Sequence, residues 1–151
     1  MPTWSDFATA DPALAAEVRA AFALGKHCTM ATVRADGGPR ISGTEVEFDD
    51  GCIYIGSGEH ARKTADLLRD PRVAIHSQGR DPDADDEWVG EAKFTGVAVE
   101  APTPEHYPPG GRRFRIDLQS VVFTDTTNEH PPRLRVRLWQ PGRETREMFV
   151  A

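Results

Sequence analysis

Apolar positions follow a helical period only near the start of the chain. Leu14, Val18, Ala21 and Phe22 recur at that spacing. Asp11 precedes Pro12, a capping residue followed by a proline suited to a first helical turn, and Gly25 is a natural stop. Beyond Gly25 the period shortens to two. CTMATVR (28–34), PRISGTEVEF (39–48) and CIYIG (52–56) read as strands, with ADGG (35–38) as a turn. Val46 and Phe48 share a face, and Asp50-Gly51 marks a tight hairpin, so residues 27–57 form an antiparallel meander. A short helix over 60–69, with Ala61, Ala65 and Leu68 on one face, ends at Asp70-Pro71. VAIH (73–76), WVGEAKFTGVAVEA (88–101), FRIDLQSVVFT (114–124) and LRVRLW (134–139) complete the strands. Gly96, inside the second of these, implies a bulge or a close backbone approach. GRDPDADDE (79–87) is an acidic loop, and PTPEHYPPGG (102–111), with four prolines, is a linker or rim. About seven strands and two short helices predict a mostly β barrel whose openings the helices cover.

The 151 residues fit one domain over 1–151, and 38% hydrophobic residues suffice for one core. A net charge of −6 gives no electrostatic reason to expect nucleic acid or an anionic membrane as partner. No apolar run approaches the ~20 residues of a membrane span. The opening MPTWSDF lacks the basic and apolar stretches of a secretory signal. Cys28 and Cys52 form no disulfide framework, so reduced thiols and a cytoplasmic location are expected. The five histidines fall in no metal-binding spacing, which predicts no metal site. Dinucleotide-binding, P-loop and hydrolase-elbow signatures are missing.

Chemistry concentrates in IGSGEHARKTADLLRDPRV (55–73). A strand ends at Gly56, Ser57 and Gly58 turn the chain, and the helix that follows carries Arg62 and Lys63 in its first turn. A helix start is already positive, so cations there are locally unfavourable. A bound anion compensates, because open N–H donors, a hydroxyl, a guanidinium and an ammonium converge on one phosphate. The alternative is a solvated pair of surface charges. LRVRLW sets Arg133, Arg135 and Arg137 on the face that also bears Trp139. That face is solvated or acid-paired, and the indole either meets a planar ligand or subunit, or covers a barrel end.

The ordered set ATVRADGGPRISGTEVEFDDGCIYIGSGEHARKTADLLRDPRVAI (31–75), EAKFTGVAVE (91–100) and LRVRLWQPGR (134–143) resembles the pyridoxamine 5′-phosphate oxidase-like superfamily. The resemblance implies a six- to seven-stranded antiparallel split β-barrel with short helices. It also implies a homodimer holding two FMN molecules at its subunit interface. By the same resemblance, Arg40, Ile41, Ser42, Gly43 and Thr44 line the flavin ring and ribityl chain. Ile55, Gly56 and Ser57 border the phosphate side, Arg62 and Lys63 hold the phosphate, and Trp139 approaches the flavin from the other subunit.

The chain also departs from the true oxidases. QPGRETREMFVA (140–151) has no histidine, and Glu45 falls where a ring-lining lysine is expected. A dedicated vitamin B6 oxidase is therefore not implied. The resemblance leads to an FMN-dependent oxidoreductase acting on an unnamed small molecule. Its alternatives are a reductase using the deazaflavin coenzyme F420, or a non-catalytic module that binds flavin or haem. For the acidic tail of the deazaflavin, the three arginines are the candidate surface. No residue qualifies as a catalytic acid or base, and segments 79–87 and 102–111 are expected to rim the pocket.

Overall fold

A computed structural model of the chain describes residues 1–82 and 88–150. Three helices, α1 (Trp4–Ala10), α2 (Pro12–Ala23) and α3 (Arg62–Arg69), accompany nine strands. The strands are β1 (Cys28–Val33), β2 (Pro39–Thr44), β3 (Val46–Asp49), β4 (Cys52–Ser57), β5 (Arg72–His76), β6 (Glu91–Ala101), β7 (Arg112–Thr126), β8 (Leu134–Trp139) and β9 (Arg146–Val150). All pairings are antiparallel.

The strand order is β2-β1-β5-β6-β7-β4-β3, with β8 and β9 continuing from β7. Its two ends, β2 and β3, are consecutive in sequence and joined by Glu45 alone. One residue cannot bridge a flat seven-strand sheet, because neighbouring strands lie about 4.8 Å apart. The sheet must roll until its ends meet, and it closes into a barrel split between β2 and the β3–β4 hairpin. At that hairpin Asp50 (φ 47°) and Gly51 (φ 71°) take the left-handed geometry of a tight turn.

The interior is filled by alternate strand residues, among them Met30, Ile53, Ile55, Ile75, Phe94 and Ile116. Phe7 of α1 and Leu14, Val18 and Phe22 of α2 join the same core. In α2 the Asp11 carboxylate caps the Leu14 N–H at 3.1 Å. β7 is long enough to pair with β4 in its first half and β8 in its second. The expected irregularity in β6 is a register shift between Thr95 and Gly96, where a Cβ on Gly96 would lie 2.4 Å from the Asp117 carbonyl.

The split-barrel class stands, with nine strands rather than six or seven. The 39–48 segment is two strands, β2 pairing with β1 and β3 with β4. β9, exposed along its whole length, pairs with β8 and with no other strand among the described residues. A helix precedes the expected first one: Thr3 and Asp6 form a reciprocal capping box at the start of α1. In α3 the buried side chains are Thr64, Asp66 and Leu67, whereas Leu68 faces solvent. The Ala61–Ala65–Leu68 face is thus not its packing face. Of the acidic loop expected over 79–87, residues 83–87 lie outside the described residues.

Trp139 is buried within the chain. Its indole is 3% exposed and packs with its centroid 5.0 Å from that of Phe7. It packs under α1 as part of the core. Truncating a buried aromatic removes its transfer free energy and leaves a cavity, so Trp139→Ala is expected to cost about 3–5 kcal/mol. Urea denaturation measures this, and a loss below about 1 kcal/mol contradicts the core placement.

Candidate functional site

α3 is bound to the barrel by a buried acid. The Asp66 carboxylate is 3% exposed at its side chain and receives three hydrogen bonds. Thr32 Oγ1 of β1 donates at 2.7 Å, Arg40 Nε of β2 at 2.7 Å, and Arg69 of the same helix at 3.0 Å. Burial opposes ionisation of this carboxyl. The bonds from Arg40, Thr32 and Arg69 outweigh it and hold the group at about 2, below its ordinary value of 3.8. The salt bridge therefore fixes one end of α3 over β1 and β2.

The other end of α3 faces the split. Thr64 Oγ1 lies 2.5 Å from Ser57 Oγ and donates to the Gly58 carbonyl at 2.7 Å, which ties the entry turn to the helix. Ala61 at the N-cap offers no side-chain bond, and no acidic residue occupies the first turn. The N–H groups of Arg62 and Lys63 have no partner among the described residues. Lys63 reaches across the split, and its Nζ donates to the Gly43 carbonyl of β2 at 2.8 Å. Burial pushes its ammonium below the ordinary lysine value. The ammonium and the open N–H groups thus stand together at an uncapped helix start, where the backbone leaves positive polarity.

Two adjoining cavities run along this split. The larger, about 580 Å³, lies between Gly43, Thr44 and Val46 on one side and Lys63, His106 and Tyr107 on the other. The smaller, about 350 Å³, lies among Ser57, Gly58, Glu59 and the prolines of the 102–111 segment. Gly56, Lys63, Tyr107 and Pro108 border both, so the two form one groove. The larger cavity also meets Glu45 and Glu47.

Of the residues singled out from sequence, Gly43, Thr44, Gly56, Ser57 and Lys63 meet at this groove. Ser42 lies in the same strand, half-buried, without lining either cavity. Ile55 does not line it: it is 1% exposed and faces the core. Arg40 is committed to Asp66. Ile41 is 76% exposed, and its side chain lines neither cavity. Arg62 is exposed and lines neither cavity. Trp139 lies in the core. The arginines at and within β8 are acid-paired: Arg133, just before the strand, with Glu129 at 2.6 Å, Arg135 with Asp125 at 2.6 Å, and Arg137 with Glu17 and Asp125. The 102–111 segment rims the groove as expected. Its particular contributors, His106 and Tyr107, carry no local signal in a proline-rich stretch.

A rolled antiparallel sheet, with a lysine across its split and an open helix start beside it, defines a barrel with a groove along the split. The chain belongs to the pyridoxamine 5′-phosphate oxidase family, whose sequence profile matches residues 14–135. Its fold is shared with a pyridoxamine 5′-phosphate oxidase-related, FMN-binding protein from Nostoc punctiforme. That pair has a TM-score of 0.64 and 10% identity, covering 93% of this chain and 96% of the other. The haem storage protein HutZ from Vibrio cholerae has a TM-score of 0.56 at 16% identity, covering 73% and 90%. An F420 reductase has a TM-score of 0.53 at 15% identity, covering 69% and 94%. At these identities the likeness is one of fold.

The Asp66 anchor is testable by substitution and by pH. Asp66→Asn leaves Arg40 and Arg69 without their charge partner. Because both arginines are partly exposed, the cost is set at the low end for a broken buried pair, about 3 kcal/mol. A depressed folded pKa stabilises the protein above the unfolded value and is lost below it. The wild type is therefore expected to lose this stability as pH falls from 3.8 through about 2. Thermal melts at neutral pH and across that range measure both, and an Asp66→Asn melt equal to wild type overturns the anchor.

Proposed function

We propose that this protein is an FMN-dependent oxidoreductase that binds the coenzyme's phosphate at the start of α3. One observation carries the reading. Lys63 Nζ and two unpartnered backbone N–H groups stand together at the start of α3, and Lys63 borders both cavities. That donor set suits a phosphate, which accepts several charge-assisted bonds at once. From there the larger cavity runs past Gly43 and Thr44, whose lack of bulk suits a planar ring lying against β2.

Bound FMN supplies the hydride chemistry, and the chain's residues bind and orient it. Lys63 neutralises the phosphate and, through its length, holds the split at a fixed width. Asp66, through Arg40 and Thr32, keeps α3 in register with β2. The backbone of residues 42–44 faces the ring edge in this reading, while Val46 and Pro108 exclude water.

Electrostatics favours FMN over the deazaflavin F420. An acidic tail needs a free basic surface, and the arginines proposed for it are paired with carboxylates. The groove itself is bordered by Glu45, Glu47 and Glu59. A second subunit also fits this reading. Ile41 is exposed on β2, beside the partly exposed Ala31, Val33 and Ala74 of β1 and β5, and a homodimer covers such a face.

The purified protein is expected to carry or take up FMN, seen as quenched flavin fluorescence. Lys63→Ala is expected to weaken FMN by about 1–3 kcal/mol, the scale of a lost charge-assisted contact. Riboflavin, which lacks the phosphate, is expected to bind both forms equally. An FMN affinity unchanged by the substitution refutes the phosphate site.

A further inference from the structure

The segment over residues 102–111 does more than fill a gap between β6 and β7. Four prolines stiffen it, and two tight turns fold it: the Tyr107 N–H donates to the Pro104 carbonyl at 3.0 Å, and the Gly111 N–H to the Pro108 carbonyl at 2.9 Å. Tyr107 fastens this strap to the barrel. A Cβ on Gly56 would lie 3.0 Å from the phenol oxygen, and one on Gly111 would lie 3.4 Å from the ring. The phenol oxygen is 3.5 Å from the Glu47 carboxylate. Glu47 is held by Arg113 at 2.7 Å, and Arg113 lies 3.6 Å over the ring of Tyr54. Burial and the neighbouring Glu47 charge both raise the Tyr107 pKa, so the phenol stays neutral. Further along, Gly110 (φ +77°) sits so close to the helix-entry turn that a Cβ there would come 2.7 Å from Glu59 Oε2. The strap thus touches the barrel at Gly56 and the turn at Glu59, on two sides of the smaller cavity.

We propose that Tyr107 pins the strap over the phosphate end of the groove and thereby limits the ligand to a terminal phosphate monoester. This rests on the FMN reading of the groove. A terminal phosphate needs only the space among Ser57, Lys63 and Pro108. A phosphodiester must carry its second substituent out past Pro109, Gly110 and the Glu59 carboxylate. The pinned strap obstructs that exit, and Glu59 repels an acidic extension. Tyr107 is in this account a specificity residue that acts by exclusion.

Binding of riboflavin, FMN and FAD to wild type, Tyr107→Phe, Tyr107→Ala and Gly56→Ala, read by flavin fluorescence, tests the proposal. Wild type is expected to prefer FMN over FAD by about a hundredfold or more. In Tyr107→Ala that ratio is expected to fall at least about tenfold, through a gain in FAD binding. Gly56→Ala places a methyl against the phenol, displaces it, and is expected to relax the ratio in the same direction. Tyr107→Phe keeps the ring and is expected to stay near wild type. If both Tyr107→Ala and Gly56→Ala keep the wild-type ratio, or lose FMN and FAD in parallel, the proposal is overturned. The FMN preference over riboflavin reports separately on the phosphate site. Wild type binding FMN no tighter than riboflavin refutes the underlying reading, and the proposal with it.

Discussion

One buried carboxylate organises the groove. Asp66 stands on an eight-residue helix, too short to be stable in isolation. It binds β1 through Thr32 and β2 through Arg40. Those two strands lie on one side of the split, whereas α3 issues from β4 on the other. The acid therefore sets the position of α3 across the opening. Lys63, one turn earlier on α3, is consequently aimed at the edge of β2. Buried ion pairs are weak contributors to net stability. Their value here is geometric: Asp66 joins the helix to β1 and β2, while Thr64 fixes the entry turn.

The same logic explains why two cations sit at a helix start, where the backbone's own polarity disfavours them. Arg62 and Lys63 are not equivalent. Arg62 is exposed and contributes its N–H, whereas Lys63 is partly desolvated and holds Gly43. The ammonium and the unpartnered N–H groups are each incompletely satisfied within the chain. Together they are the donors that the proposed phosphate site draws on, and rolling the sheet is what brings them to the split.

Much of this was legible in the sequence because it is written in local rules. The Asp11–Pro12 helix start, the Asp50-Gly51 hairpin, the Gly96 bulge and the Asp70-Pro71 stop are short-range signals, and each appears in the fold. Lys63 stood out in the sequence because it violates such a rule, and the fold sets it at the edge of the groove. What was missed depends on contacts distant in sequence. Arg40 has the appearance of a ligand-facing cation until Asp66, 26 residues away, is placed beside it. Trp139 shares a face of β8 with two arginines yet is buried, because α1 brings Phe7 over it. Nor does the pattern alone announce that Tyr107, in a run of prolines, lies against Gly56. The T-x-x-D capping box of α1 was available in the sequence, and only the brevity of the helix hid it.

The central claim is that a phosphorylated coenzyme is held where Lys63 crosses the split. The most direct measurement is a crystal structure of the protein with FMN. The account predicts phosphate density within hydrogen-bond distance of Lys63 Nζ and of the Arg62 and Lys63 backbone N–H groups, with the flavin ring along Gly43 and Thr44. Phosphate bound elsewhere on the barrel, with Lys63 still engaged only on the Gly43 carbonyl, would contradict it.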